Sequence, residues 1–430
     1  MLMTRGLIRP RARSVANSLV LQLIGLLFTG SALPVAISYL SGKTPDIGSE
    51  QALVTVAASC TAAIVALLAI RKVTSFPGTR HFSYIIPTFS VTFGSAIGVL
   101  LVLRVDYASV MLMSAFLFGT LFIFMMMHLG AKAGQSFYVV PFGKALKLVE
   151  SEDASWILLK DPTLPENDGH TPIVADLRYD FEPEWERMLA AAAISGRAVY
   201  HSKQVRESLT GKVEIEHLSE NSFGSLVPNS AYRHTKRIVD IVVSLVAIPV
   251  LLVPMLLLGV VIRLESPGPI LFRQRRMGYR GQDFEVLKFR TMRARAPATC
   301  VETAIQDAIT QSDDDRITKI GRVLRRSRID ELPQIWNVLM GDMSIIGPRP
   351  EAIPLSEWYE RELPFYSYRH IVRPGITGWA QVSQGHVADL DSVHTKLYYD
   401  FYYIKNFSAW LDLLITIRTV HTILSGFGSK

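Results

Sequence analysis

RRSRIDELPQIWNVLMGDMSIIGPRPE, at residues 325–351, is the most informative segment of the chain. It places the adjacent carboxylates of Asp330 and Glu331 directly after a cluster of three arginines, and a turn-rich GPRP element follows at residues 347–350. Arginines supply planar donors for phosphate oxygens, and carboxylates attack phosphorus or hold a divalent cation. The pattern therefore predicts phosphate chemistry. The alternative is a solvated helix end with ordinary surface charge, and the rest of the chain has to decide between the two.

The composition favours a membrane protein. Hydrophobic residues make up 49% of the 430 residues and charged residues only 19%, and the length allows two or three domains. The net charge of +7 is spread along the chain. This distribution suits an anionic bilayer surface or phosphorylated substrates, and we expect no nucleic-acid partner. The two cysteines, Cys60 and Cys300, lie in an apolar and a polar stretch, so no disulfide framework is expected.

Four uncharged runs in the first third of the chain are each at least about 20 residues long, as a helix needs to cross the hydrocarbon core. Basic residues collect before the first run, between the second and third, and after the fourth. The positive-inside rule then places both ends of this block in the cytoplasm. We predict a transmembrane block over residues 1–134 that acts as an anchor or as an element of a homodimer. The four runs are residues 15–40, 52–70, 82–103 and 107–127.

Residues 135–228 have the composition of a small soluble domain. Short apolar runs alternate with a convincing helix at 182–195 and a second helix near 203–210, which predicts an α/β domain of Rossmann type. A further strand is expected at residues 212–219. The turn after the first strand, VVPFGKA, has only Gly143 and no GxGxxG, so we expect this degenerate domain to be structural or regulatory and to bind no nucleotide.

A fifth apolar run, residues 241–262, has basic residues on both sides. A crossing would place one basic cluster on the outer face, and it would export residues 325–351 away from nucleotide-activated substrates. Pro249 and Pro254 each favour a kink. We therefore predict a re-entrant helix, at about residues 238–263, that enters the membrane and returns. The alternative is an ordinary fifth span.

Six motifs from residue 236 to the end of the chain occur in a recognisable order. Together they resemble the bacterial sugar transferases, the monotopic polyprenyl-phosphate phosphoglycosyl transferases, over nearly half of the chain. The preceding domains are similar to those of the larger members that initiate exopolysaccharide, capsule or O-antigen synthesis. The motifs are KRIVDIVVSLV (236–246), ESPGPILFRQRRMG (265–278), KFRTM (288–292), the stretch 316–351, RPGITGWAQV (373–382) and DFYYIKNFSAWLDLLI (400–415).

The resemblance implies a fold and a location. The fold is that of a multi-pass protein of the bacterial inner membrane, with a four-helix transmembrane block, a middle Rossmann-like domain and a C-terminal α+β catalytic domain. The catalytic domain, residues 229–430, would lie on the cytoplasmic face and carry the re-entrant helix. The segment NFSAWLDLLITIRTVHTIL at 406–424 is too charged to span, and it predicts an amphipathic helix at the bilayer surface.

The resemblance also implies a reaction. A hexose-1-phosphate passes from a UDP-sugar to undecaprenyl phosphate, and UMP is released. Asp330 would be the nucleophile that forms an aspartyl-phosphosugar, and Glu331, with Asp330, would bind Mg²⁺. The diphosphate repels an approaching carboxylate, so cations have to neutralise it before attack. Glucose or galactose is the default sugar, and an N-acetylated sugar remains open.

The candidate phosphate ligands lie in the same motifs. Arg328 is a departure, because the family usually has a small Ser or Thr two residues before the dyad. It either adds a phosphate contact or faces solvent. The re-entrant helix is a second departure, because the family usually breaks it at a Ser-Pro pair and the nearest equivalent here is Val253-Pro254, with Pro249 also available. The candidate ligands are Lys288, Arg290, Arg325, Arg326, Arg349 and Arg373, with Thr377 and Gln381 in a loop over the nucleotide or the lipid phosphate.

Two alternatives stay open at this level. The polar, acidic segment 302–315 is expected to be a flexible excursion, either a lid or a plain surface loop. The second alternative for the whole chain is a non-catalytic assembly or regulatory protein that keeps the fold, although such a protein would be expected to have lost its dyad. A transporter is disfavoured, because no charged residue lies in the middle of the four runs.

Overall fold

The computed structural model of the chain divides into two compact units, Met1–Gly211 and Lys212–Lys430. The predicted domain boundaries at residues 134 and 228 stay predictions. The segment 302–315 lies outside the described residues, as do residues 15–17 and 82–83 of the predicted spans. The described residues are 18–40, 49–73, 84–131, 136–151, 154–164, 171–215, 228, 230–293, 316–384 and 390–425.

Apolar helices occupy the four predicted runs of the first unit. The first run is two helices that meet at Ser31, whose hydroxyl donates to the carbonyl of Leu27. Side chains such as Leu26 and Phe89 are fully buried between the helices, while large apolar side chains remain on the outside, as expected for a protein surrounded by lipid. The helices are α1 (Leu19–Gly30), α2 (Ala32–Leu40), α3 (Glu50–Val73), α4 (Ile85–Val102) and α5 (Ser109–Ala131).

The first unit also contains a four-stranded parallel sheet, in the order β2-β1-β3-β4. The strand order reverses between β1 and β3, and nucleotides bind at such a reversal in sheets of this kind. Here the Lys144 N–H donates to the carboxylate of Asp176 at 2.8 Å, so a side chain of the protein itself satisfies this donor. The elements are β1 (Ser136–Val139), β2 (Ser155–Leu158), β3 (Ile173–Ala175), α6 (Pro183–Ile194), β4 (Val199–His201) and α7 (Ser202–Thr210).

The strand predicted at 212–219 is wrong for its first half. Residues 212–215 are in no strand, and residues 216–219 lie outside the described part. The N–H of Val213 donates to the carbonyl of Tyr398 at 3.0 Å. Its backbone therefore bonds to a helix of the second unit instead of extending the sheet.

The second unit combines a β-hairpin, a small parallel ladder and seven helices among its described residues. The sheet-containing C-terminal region expected from the sequence is confirmed. In the hairpin, Phe272 pairs with Lys288 and Arg276 with Phe284. The elements are α8 (Ser230–Glu265), β5 (Leu271–Met277), β6 (Asp283–Phe289), α9 (Lys319–Ser327), α10 (Gln334–Met340), β7 (Ser344–Ile346), α11 (Ile353–Glu362), β8 (Gly375–Thr377), α12 (Trp379–Ser383), α13 (Leu390–Lys405) and α14 (Ala409–Ser425).

Both ends of α8 pack on this unit. Near its start, Arg237 donates to the carbonyls of Val338 and Leu339 at 2.5 and 2.8 Å. Near its end, Ile262 lies in an apolar cluster with Phe289 and Leu324. The assigned helix contains Pro249 and Pro254, and the side chains between its ends are largely exposed. Five helical segments in the described residues are long and apolar enough to cross a membrane, when α1 and α2 are counted as one. Helix α8 is one of the five.

The last helix, α14, is amphipathic, but its apolar face is not free for lipid. Leu411, Leu414 and Ile415 are fully buried within the unit. The exposed apolar side chains that remain on this helix are Trp410, Val420 and Ile423. Contact of α14 with the bilayer stays a prediction, and it rests on these residues.

The ladder of β7 and β8 depends on close backbone approach. A Cβ at Gly375 would lie 2.0 Å from the nitrogen of Gly347, so Gly375→Ala should push the two strands apart. We expect the free energy of unfolding to fall by about 1–3 kcal/mol. The readout is a lower melting temperature of the detergent-solubilised protein. Gly98→Ala is the control, because a Cβ there meets no atom within 4 Å. Equal melting temperatures for the two variants would contradict this account.

Candidate active site

A sharp change of backbone direction places the two carboxylates. Helix α9 ends at Ser327, Arg328 follows in the left-handed conformation with φ of 55°, and Ile329–Glu331 forms one turn of 3₁₀ helix. Ile329 and Leu332 pack against the apolar cluster around Ile262. Asp330 and Glu331 are both buried. The dyad is thus fixed by apolar contacts on either side of it.

Glu331 joins two basic side chains from distant parts of the sequence. Its Oε1 accepts from Lys288 Nζ at 3.2 Å and from Arg349 Nη2 at 2.8 Å. Burial opposes ionisation of Glu331, but the charges of Arg349 and Lys288 outweigh it and hold its pKa well below the usual range. Burial lowers the pKa of Lys288 to about 8, and the charge of Glu331 works against that shift. The three groups form one buried charge cluster.

The pKa of Asp330 is shifted in the opposite direction from that of Glu331. Burial and the adjacent charge of Glu331 raise its pKa, while Lys288, Arg349 and Arg325 act in the opposite direction. Within the described residues its carboxylate has no hydrogen-bond or ion-pair partner. A carboxylate that is surrounded by cations but bonded to none of them is suited to attack an electrophile or bind a metal.

The GPRP element is held through its backbone, which fixes the position of Arg349. Five carbonyls between residues 346 and 351 accept hydrogen bonds from other elements. One of the donors, Arg369, is itself held by Asp400 at 2.9 Å, and this ion pair is buried. The five donors are the Tyr403 hydroxyl (to Ile346), the Gly375 N–H (to Pro348), the Arg369 guanidinium (to Arg349), the Arg276 guanidinium (to Pro350) and the Met277 N–H (to Glu351).

Some predicted phosphate ligands lie in this cluster and others do not. Lys288 and Arg349 contact Glu331, and the charge of Arg325 acts on Asp330. Arg325 itself donates to the Thr291 hydroxyl at 3.0 Å. Arg326 is exposed on α9. The geometry thus brings together the dyad, Lys288, Arg349 and Arg325.

Arg290 and Arg373 are engaged elsewhere. The Arg290 guanidinium is buried and donates to the carbonyls of Ser266 and Pro267, where it caps the end of α8. Arg373 donates to the carbonyl of Gly341 at 2.9 Å and lies over the ring of Tyr279. A role for either arginine in binding phosphate stays a prediction, and these contacts give it no support.

The predicted loop residues also make internal contacts. The hydroxyl of Thr377 lies 2.7 Å from that of Thr419. The amide nitrogen of Gln381 donates to the carbonyl of Ile376, and its buried Oε1 has no hydrogen-bond partner among the described residues. Their proposed contact with substrate stays a prediction.

Two basic residues near the dyad were missed as site residues. Arg276 is on the same face of the hairpin as Lys288 and donates to the carbonyl of Pro350. Burial and the charge of Arg349 lower its pKa to about 10. The alternation of FRQRRM along β5 could have placed it there. The other is Arg328, which the sequence analysis left open.

The donor set fits a magnesium ion shared with a substrate. Magnesium is usually held by one or two carboxylates together with substrate phosphates and waters. Asp330 and the second oxygen of Glu331 could supply two ligands. No group of three or more potential metal ligands occurs in the part of the chain that the structure describes, so any ion here would depend on the substrate for further ligands.

Comparison with known proteins shows which family and which enzymes the chain is similar to. The model of the family described as bacterial sugar transferase matches residues 231–426. A UDP-N-acetylgalactosamine-undecaprenyl-phosphate N-acetylgalactosaminephosphotransferase of Aeromonas hydrophila is 45% identical over 358 residues, 83% of each chain. A UDP-glucose:undecaprenyl-phosphate glucose-1-phosphate transferase of Caulobacter vibrioides is 42% identical over 205 residues, 47% of this chain and 74% of that one. The enzyme of the same name from Escherichia coli is 39% identical over 46% of this chain and 41% of its own.

The buried imidazole of His370, next to Arg369 in the chain, predicts a pH dependence of stability. Burial, together with the charge of Arg369, lowers the pKa of His370 to about 3 from its ordinary 6.5. The folded protein therefore binds this proton less readily than the unfolded chain, so stability is complete above pH 6.5 and is lost as the pH falls towards 3. We expect the melting temperature to fall by several degrees between pH 7.5 and 5.

His370→Asn should reduce this fall, and His394→Asn, on α13, is the control for loss of a histidine. An unchanged pH dependence of the melting temperature in His370→Asn would show that His370 is not its source.

Proposed function

The chain belongs to the bacterial sugar transferase family, and we propose that it transfers a hexose-1-phosphate from a UDP-sugar to undecaprenyl phosphate. It is an undecaprenyl-phosphate sugar phosphotransferase by its similarity to the named relatives. The observation that carries the proposal is Asp330, a buried carboxylate without a partner among the described residues, next to a Glu331 that is paired with Lys288 and Arg349. A non-catalytic protein would have no need to keep this arrangement.

The proposed reaction has two steps. In the first, an Asp330 oxygen forms a bond to the β-phosphorus of the UDP-sugar while the bond from that phosphorus to the bridging oxygen breaks, and UMP leaves with the electron pair. In the second, a phosphate oxygen of undecaprenyl phosphate attacks the same phosphorus and releases Asp330. Each step is an in-line displacement that leaves the carboxylate unchanged at the end.

The residues of the cluster have separate tasks. Lys288 and Arg349 reduce the repulsion between the diphosphate and Asp330, and Glu331 keeps both cations in place. Burial and the charge of Glu331 raise the pKa of Asp330, and the charges of Lys288 and Arg349 act against that shift and favour its ionised form. A magnesium ion bound by Asp330 and Glu331 would supply further neutralisation of the diphosphate.

The proposed arrangement in the membrane has four N-terminal spans and a re-entrant α8, with the catalytic unit on the cytoplasmic face. Basic residues flank α8 on both sides, and both of its ends pack on the same unit. A straight helix from Arg237 to Ile262 would be about 38 Å long, which favours a bend at Pro249 or Pro254. UDP-sugars are available only on the cytoplasmic side.

The choice of sugar is proposed from the relatives. The relative named for N-acetylgalactosamine matches 83% of this chain. Those named for glucose match less than half of it. We therefore propose an N-acetylated hexose as the first donor to test, ahead of the glucose or galactose taken as the default from the sequence.

The reaction is tested by adding labelled UDP-N-acetylgalactosamine or UDP-glucose, with undecaprenyl phosphate and magnesium, to membranes that contain the protein. We expect labelled lipid and an equal amount of UMP. Asp330→Asn should lower the rate by at least about 10³-fold, because the amide cannot attack phosphorus. Asp391→Asn, at an exposed position on α13, should be as active as wild type. Turnover by Asp330→Asn at the wild-type rate would exclude Asp330 as the nucleophile.

The membrane arrangement is tested with single cysteines in a background without Cys60 and Cys300. Val239→Cys and Leu264→Cys are suitable because both side chains are exposed, by 52% and 81%. For a re-entrant helix, an impermeant thiol reagent should label neither position in intact cells and both after permeabilisation. Labelling of only one of them from outside would mean that α8 crosses the membrane.

A further inference from the structure

Arg328 has an unusual backbone conformation. Its φ of 55° and ψ of 18° are left-handed, and it is the residue directly after helix α9. Glycine or asparagine is the usual residue at such a position, because a larger side chain is strained there. Strain of this kind is retained mostly at functional sites, where another requirement outweighs it.

The position of Arg328 connects this strain to the dyad. Its carbonyl accepts from the N–H of Glu331 at 3.2 Å, within the same turn that carries Asp330. Its side chain is partly buried, and the charges of Arg349, Glu331 and Asp330 all act on it. It therefore does not simply face solvent, which was one of the two possibilities that the sequence left open.

The guanidinium of Arg328 differs from its neighbours in its lack of a hydrogen-bond acceptor within the described part of the chain. Arg349 donates to Glu331, Arg276 to the carbonyl of Pro350, and Arg325 to Thr291. Among the described residues Arg328 has no side-chain hydrogen bond or ion pair. A partly buried guanidinium without an acceptor is suited to a ligand that brings acceptor oxygens.

The charge balance at the site indicates what that ligand is. Five basic groups interact electrostatically here with three carboxylates, those of Asp330, Glu331 and Glu351, so the described site has an excess of positive charge. A phosphate or diphosphate group would balance it, and the planar donors of arginine match phosphate oxygens. The basic groups are Lys288, Arg276, Arg325, Arg328 and Arg349.

We propose that Arg328 binds a substrate phosphate beside Asp330 and that this contact is the reason for an arginine at a left-handed position. The inference rests on the proposed function. Two phosphates could be the ligand: the one that leaves in UMP, and that of the lipid acceptor. In the first case Arg328 stabilises the charge of the leaving group, and in the second it guides the attacking phosphate.

The test uses a substitution that separates function from stability. Arg328→Gly removes the guanidinium and also relieves the backbone strain. We expect the melting temperature to rise by roughly 2–4 °C while kcat/KM falls by about 10–100-fold. A residue that only supports the fold would not show opposite changes. Arg328→Lys keeps the charge without the planar fork and should retain part of the activity.

Arg104→Gly is the matched control. Arg104 also has a positive φ, of 53°, and lies exposed between α4 and α5. Its replacement should raise the melting temperature in the same way and leave kcat/KM unchanged.

The kinetic constants identify the phosphate. A higher KM for the UDP-sugar with weaker inhibition by UMP assigns Arg328 to the donor, and a higher KM for undecaprenyl phosphate assigns it to the acceptor. Wild-type kcat/KM and KM values in Arg328→Gly would overturn the proposal. If wild type makes no labelled lipid, the proposed function is wrong, but the role of Arg328 in binding phosphate can still be tested. Direct titration with UDP and with a short-chain polyprenyl phosphate provides that test, and equal affinities of wild type and Arg328→Gly for both ligands would overturn the role of Arg328.

Discussion

The buried pairing of Glu331 with Lys288 and Arg349 is the interaction on which the site depends. Lys288 comes from the β-hairpin, Glu331 from the turn after α9, and Arg349 from the loop after β7. Each of these elements is far from the others in sequence, and one carboxylate oxygen brings them together. Removing a partner from a buried pair leaves an uncompensated charge, which is strongly unfavourable. Glu331 is therefore a structural requirement for the site as well as a candidate metal ligand.

Further buried charged groups link the elements that surround this cluster. Asp412 on α14 accepts from Lys236 at 2.6 Å. The single hydroxyl proton of Tyr403 is shared between Asp412, at 2.9 Å, and the carbonyl of Ile346, at 3.1 Å. These bonds connect the N-terminal part of α8 to the loop that carries Arg349.

The sequence predicted the parts of this protein that depend on local pattern. Apolar run length identified the N-terminal helices, and the order of motifs singled out Asp330, Glu331, Lys288 and Arg349 as candidates, which the structure places in one cluster. It could not separate arginines that bind ligand from arginines that cap a helix. Arg290 illustrates the difficulty, because it lies two residues from Lys288 in the same motif and yet bonds to the end of α8. Which carbonyl or carboxylate lies opposite a guanidinium is decided by tertiary contacts. The same limit applies to α14, where the sequence could not show that Leu411, Leu414 and Ile415 pack inside the unit while Trp410, Val420 and Ile423 stay exposed.

The covalent step is the central claim, and release of UMP without an acceptor tests it most directly. Purified protein is mixed with excess UDP-sugar and magnesium in the absence of polyprenyl phosphate, and UMP is measured with time. A covalent mechanism predicts a rapid release of about one UMP per active site, together with a phosphosugar on the peptide that contains Asp330. UMP release that occurs only when the acceptor is present, with no modified peptide, would contradict it.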